Sequence, residues 1–179
     1  MFGEFFKDRT SELNLIGSSA GAFRFAALAQ KNPVAAISKL AKHYSETVYS
    51  KNANAAEVTT KAEELLHNVY AGDGIAQLLN NPVIKAHFIV AKCHGLTASE
   101  NRLGQLAGLA SSMVLNKCSR QLLNWQYQRF VFHHPKSQLR IAKNNEFTSH
   151  YIPLSQQNMH DALLASGSIP LVMKGIKNI

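Results

Sequence analysis

Leu13-Asn14-Leu15-Ile16-Gly17-Ser18-Ser19-Ala20-Gly21-Ala22-Phe23-Arg24-Phe25 is the stretch on which the reading of this chain turns. A short apolar run stops at Gly17, and Ala20 to Gln30 continues as an Ala-, Phe- and Leu-rich segment. That order predicts strand, tight turn, helix. Gly17-Ser18-Ser19-Ala20-Gly21 fits the pattern G-x-S-x-G at this junction. A serine raised on so sharp a turn needs glycine two residues to either side, because side chains there would meet the adjoining strand and helix, and the small Ala20 helps equally. Ser19 is the residue so raised, a candidate nucleophile. The backbone N–H groups that follow it, at a helix N-terminus, favour negative charge developing on an acyl oxygen. A Gly/Ser turn that holds a phosphate, or nothing, is the alternative.

Outward from the turn, helices come first. Asn32-Pro33 supplies an N-cap and a first-turn proline, and Val34, Ile37, Leu40, Tyr44 and Val48 then recur at helical spacing. Ala55 to Tyr70 repeats the pattern through Val58, Ala62, Leu65, Leu66 and Val69 until Gly72-Asp73-Gly74 ends it. Pro82 opens a segment of period two, in which Ala86, Phe88 and Val90 alternate with His87, Ile89 and Ala91, so a strand buried on both faces is expected. Helical patterning returns over 97–123. Phe130-Val131-Phe132, Leu139-Arg140-Ile141 and Tyr151-Ile152-Pro153-Leu154 read as short strands, and Ser155 as the cap of a helix from Gln156 to Ser166 that stops at Gly167. Strands interleaved with helices indicate an α/β layer fold, and no repeat or low-complexity linker divides it.

Length and composition set the limits. The chain has 179 residues, 46% hydrophobic and 17% charged, which suits a single folded domain and excludes wholesale disorder. Cys93 and Cys118 are too few for a disulfide scaffold or a four-cysteine zinc site and are expected to be reduced and buried. Met1 to Arg9 carries Glu4 and Asp8 and no apolar run of signal-peptide length, so a cytoplasmic location is expected, with peripheral contact at a membrane open to it. Leu103 to Asn116, 14 residues long and containing Gln, Ser and Asn, is too short and polar to span a bilayer and reads as a buried or interfacial helix. The net charge of +8 is uneven. Residues 101–179 hold nine Lys/Arg against only Glu146 and Asp161, and so carry +7 of it. Such an excess favours anionic partners, phospholipid headgroups or nucleic acid, through screened attraction.

Two stretches together resemble the patatin-like phospholipases. Leu13 to Phe25 (LNLIGSSAGAFRF) is similar to that family's hydrophobic strand and G-x-S-x-G elbow. Asp161 to Val172 (DALLASGSIPLV) is similar to its helix ending in a small-residue Ser-Ile-Pro turn, about 150 residues later. G-x-S-x-G alone is shared with the α/β-hydrolases; the pairing with the Ser-Ile-Pro segment is the more specific sign. The resemblance implies a three-layer α/β sandwich with a central, largely parallel sheet, and a serine acyl hydrolase acting on lipid esters through a Ser/Asp dyad, with Ser19 as nucleophile and no cofactor. It also exposes two departures. The family's glycine-rich oxyanion loop lies on a strand before the elbow strand, whereas the 16 residues before Gly17 hold only Gly3. Its aspartate lies in an Asp-Gly turn after the Ser-Ile-Pro helix, and no such turn follows here.

The expectation is therefore a partial patatin-like domain over 1–179: a lipid acyl hydrolase or a fragment of one, alternatively a non-catalytic relic that binds lipid or a protein partner. By itself the chain is expected to show little or no turnover. One edge of Leu13 to Ile16 is expected to lack a ladder partner. Asp161 reads as a solvated first-turn carboxylate. His133, His134, His150 and His160 show no spacing that makes one of them the base, His133-His134 before Pro135 reads as a solvent-side turn, and no metal-ligand spacing occurs. Lys117, Arg120, Arg129, Lys136, Arg140 and Lys143, with Trp125, Tyr127 and Phe130 among them, are membrane-surface candidates, an ordinary basic surface being the alternative. Nucleic acid is the remoter partner, since no recognition motif is present.

Overall fold

The structure, a computed structural model, describes residues 8–141 and 147–177. Its four strands are β1 (Leu13–Gly17), β2 (Ile84–Cys93), β3 (Tyr127–His133) and β4 (Ser149–Pro153), and its six α-helices are α1 (Ala20–Leu28), α2 (Pro33–Glu46), α3 (Ala55–Val69), α4 (Gly74–Leu79), α5 (Arg102–Cys118) and α6 (Met159–Gly167). Two 3₁₀ turns, Gly95–Ala98 and Arg120–Trp125, flank α5. The sheet runs β1-β2-β3-β4, with β1 parallel to β2, β2 antiparallel to β3 and β3 parallel to β4. It is an open, mostly parallel α/β sheet. β1 is an edge strand, registered only on β2 (Leu13 on Ile84, Gly17 on Phe88) among the described residues, as its sequence led us to expect.

The alternation of β2 sorts its side chains. Ala86, Phe88 and Val90, with Phe132 of β3, join one hydrophobic core with residues from α1, α2, α3, α4 and α6. Ala22, Ala26 and Ala27 of α1 are wholly buried, and their short side chains let that helix lie close to the sheet. Phe88 and Phe132 are the largest side chains shut away from water; burying each contributes roughly 1.5–3 kcal/mol. Lys85, His87 and Ile89 point to the other face, where no described helix joins the core; the segment 134–141 covers part of it. The hydrophobic core of the described residues thus lies on one face of the sheet.

Local signals explain the helix starts. The Asn32 side-chain oxygen accepts from Ala35 N–H at 3.1 Å with Pro33 in the first turn, and that of Asn54 accepts from Ala56 and Glu57 N–H, both at 3.0 Å. Tyr70, past the end of α3, donates its buried hydroxyl to the Phe23 carbonyl at 2.6 Å and so ties that end to α1.

Several expectations are corrected. Leu139-Arg140-Ile141 is not a strand: the backbone N–H of Leu139 bonds the Ser137 hydroxyl and that of Ile141 the Tyr151 hydroxyl, so the segment is bound by side chains rather than by a ladder. The 97–123 helix is broken, because Ser119 takes an extended backbone (φ −163°) after α5 and a 3₁₀ turn follows. The last helix begins at Met159, since Ser155 and Asn158 exchange side-chain hydrogen bonds in a preceding turn. Cys118 is exposed and Cys93 half-buried, both free. His133 and His134 are buried rather than at the solvent. Of the two readings of Leu103 to Asn116, buried or interfacial, the first does not hold: Leu103, Leu106, Met113 and Val114 of α5 are all exposed and Gly108 is its one buried residue. No helix among the described residues is long and apolar enough to cross a membrane.

Candidate active site

Ser19 sits between β1 and α1 with φ 53° and ψ −132°, a conformation that costs a residue other than glycine about 1–3 kcal/mol and persists only where neighbours enforce it. The enforcing neighbour is Ser166, near the end of α6. Ser19 N–H donates to the Ser166 carbonyl at 3.0 Å and to its hydroxyl oxygen at 3.1 Å, and that hydroxyl donates to the Ile89 carbonyl of β2 at 2.8 Å. The strained turn is thereby clamped between the sheet and α6. This contact joins the two sequence stretches that carried the family resemblance.

The two glycines of the motif have different reasons to be there. A Cβ on Gly17 would lie 2.7 Å from Ala22 N and from the Gly21 carbonyl carbon, backbone atoms that cannot step aside. A Cβ on Gly21 would meet nothing within 4 Å, which corrects the expectation that both positions exclude a side chain. At Gly167, outside the motif, a Cβ would lie 2.8 Å from Cζ of Phe23, a side-chain contact on α1 rather than a backbone one.

Ser18, Ser19 and Ala20 are exposed at the tip of the turn, and Ser19 opens onto a groove of about 260 Å³. Its floor and walls come from Phe23 of α1, Val58, Ala62 and Leu65 of α3, and Ile169 and Met173 beyond α6, with Tyr44 and Tyr49 at the side. The lining is mainly apolar. Among the described residues lining it Lys61 is the one charged side chain, and the Glu64 carboxylate 2.9 Å away holds the Lys61 ammonium above its usual pKa, so it enters the groove as a cation. The helical spacing of Val58, Ala62 and Leu65 is visible in the sequence, but spacing does not tell a groove wall from a core face. Tyr44 and Ser166 fall on helices expected from the sequence, but nothing there marked either of them, or Tyr49, for the site.

Ala20 N–H, the first helical amide after Ser19, is one of the donors that a helix N-terminus leaves without an intrahelical partner. Among the described residues no carboxylate or imidazole hydrogen-bonds the Ser19 hydroxyl. Asp161 is exposed in the first turn of α6, a full turn and more from Ser166. The buried histidines serve the other face of the sheet. His87 Nε2 donates to the Asn14 side-chain oxygen at 2.8 Å, and the same oxygen accepts from the Ser137 hydroxyl at 2.8 Å. Burial lowers the pKa of His87 and of His134 to about 4, with neighbouring His133 and His134 adding to the effect at His87 and Lys85 at His134. Among the described residues no group of three or more His, Cys, Asp or Glu comes together as a metal cage.

The basic residues expected at a membrane do not form one patch. Arg129 lies half-buried on β3 with Nε donating to the Ser149 hydroxyl, and Arg140 stacks its guanidinium 4.9 Å from the Tyr151 ring centre. Lys136 is exposed in the segment crossing that face, Lys117 is exposed in the last turn of α5, and Arg120 lies over the Phe147 ring in the 3₁₀ turn beyond it. Lys143 falls outside the described residues. Compared with protein-family models, with curated proteins and with solved structures, the chain finds no match in any of the three.

Proposed function

We propose that the chain carries the nucleophile elbow and acyl groove of a lipid acyl hydrolase of the patatin-like kind. The observation that carries this reading is Ser19: a strained serine on a strand-to-helix turn, at the head of an apolar groove. An aliphatic chain fits an apolar channel ending at a hydroxyl, and a helix N-terminus beside that hydroxyl suits a developing oxyanion. The substrate class is an ester of a fatty acid, its carbonyl at Ser19 and its tail along Val58, Ala62 and Leu65. Among the described residues the missing element is a base. A serine hydroxyl is a poor nucleophile until its proton is taken, and losing the activating partner costs about 10⁴ in rate or more. That favours, for these residues by themselves, the second reading of a site that binds acyl chains with little or no turnover.

A fatty acid bearing a photoreactive diazirine near its tail tests both. Crosslinks should saturate and map to α3 between Val58 and Leu65, and Ala62→Trp should abolish them while circular dichroism stays unchanged. Hydrolysis of p-nitrophenyl octanoate should not exceed that of Ser19→Ala. Crosslinks scattered over the surface would remove the acyl site; brisk Ser19-dependent turnover would restore a base beside Ser19 and remove the second reading.

A further inference from the structure

The side of α5 turned to solvent is apolar from end to end. Leu103, Leu106, Ala107, Ala110, Met113 and Val114 lie at spacings of three and four and are all exposed, whereas its other side bonds to the neighbouring turn, Ser112 to the Gln126 and Tyr127 side chains and Ser111 to Gln126. A monomer in water seldom leaves so continuous a stripe uncovered. The charge around it is mainly positive, Glu100 just ahead of the helix being paired with Lys177. Residues 101–145 contain seven Lys/Arg and no Asp or Glu, with Arg102 opening α5, Lys117 in its last turn and Arg120 just beyond. Trp125, the only tryptophan of the chain, stands 74% exposed at the end of the 3₁₀ turn that rests on α5. A leucine-rich stripe, flanking cations and an exposed indole together are the composition of a helix that lies in a headgroup layer.

The position of the helix adds a direction. Gln105 of α5 accepts from the backbone N–H of Leu171 at 2.8 Å and so holds the turn that contributes Ile169 and Val172 to the groove. Lys177 pairs with Glu100 just ahead of α5, fixing the same two segments.

We propose that α5 docks this chain on an anionic bilayer, its Leu103–Val114 stripe among the acyl chains and Arg102 and Lys117 at the phosphates, which sets the mouth of the Ser19 groove beside the lipid. The inference deepens the acyl-site reading but its test is separate: a chain that docks without taking a fatty acid keeps the inference, and one that takes the fatty acid without docking loses it.

Trp125 is a built-in reporter. The chain is titrated with vesicles of phosphatidylcholine containing about 30% phosphatidylglycerol, and with pure phosphatidylcholine, following tryptophan emission and co-sedimentation. Partition to the anionic vesicles should be at least about tenfold stronger, the emission should shift to the blue, and binding should weaken several-fold as salt rises from about 0.05 to about 0.5 M. Leu106→Glu with Met113→Glu, both at exposed positions, should lower partition by about tenfold or more. Arg102→Glu with Lys117→Glu should erase the preference for anionic lipid. Equal binding to both vesicles, binding indifferent to the Leu106 and Met113 changes, or a stripe covered in a concentration-dependent dimer would each overturn the proposal, as would salt-sensitive RNA binding that outcompetes the vesicles.

Discussion

Replacing each glycine of the elbow by alanine separates geometry from pattern. In Gly17→Ala the new methyl would sit 2.7 Å from Ala22 N and 2.8 Å from the Gly21 carbonyl oxygen, several tenths of an ångström inside any real contact, and both neighbours are backbone. Relief requires β1 to move off the start of α1, which pulls Ser19 N–H from Ser166; overpacking of this kind costs about 1–3 kcal/mol. In Gly21→Ala the methyl meets nothing within 4 Å, and the residue already lies in the first turn of α1, so the exchange should gain up to about 1 kcal/mol from reduced backbone freedom. At about 2–4 °C per kcal/mol for a chain of this size, thermal unfolding followed by circular dichroism should place Gly17→Ala several degrees below the parent and Gly21→Ala level with it or up to about 4 °C above. Equal losses from the two changes would refute the reasoning, since the pattern G-x-S-x-G, and not the described contacts, would then be setting the requirement.

Two further outcomes follow from buried groups. His87 and His134 bind protons more weakly folded than unfolded, so their contribution to stability is complete above pH 6.5 and is lost as pH falls towards about 4; denaturant midpoints should decline steadily from pH 7 to pH 5, by on the order of 1 kcal/mol per histidine per pH unit at most, and a flat profile would contradict the burial described for them. Tyr70→Phe leaves the Phe23 carbonyl without its donor and should cost about 1–3 kcal/mol, read as a lower urea midpoint at unchanged slope; no change would mean that the 2.6 Å contact contributes nothing net.

What the sequence made legible was local. The strand, turn and helix of 13–28 depend on neighbours in sequence, and so do the Asn32 and Asn54 caps and the period-two run of β2. Where the partner is distant, the reading failed or stopped short. His133-His134 looked like a polar turn because nothing near it in sequence shows the burial that the fold gives both rings. Gly21 looked obligatory because the motif is symmetric in sequence, while the turn it encodes is not symmetric in space. The leucines of α5 read as either buried or interfacial because apolar spacing reports that a face wants cover, not whether the chain itself supplies it. Of the site, Ser19 was legible and Ser166 was not, since a serine in the last turn of a helix carries no mark of the amide it will receive.

The clamp at Ser19 also fixes an order of events. Its partner Ser166 lies 147 residues further along the chain, so while the polypeptide leaves the ribosome the left-handed turn has no reason to persist. β1 finds β2 only after some 70 residues of helical chain have been made, because parallel pairing must wait for Ile84 to emerge. Loop closure over such spans depends weakly on length but must come before any reward from the contact. Ser19 therefore takes its raised geometry last, after α6 has docked, and a nascent chain stalled before Ser166 would hold a helix start there with an ordinary, relaxed serine.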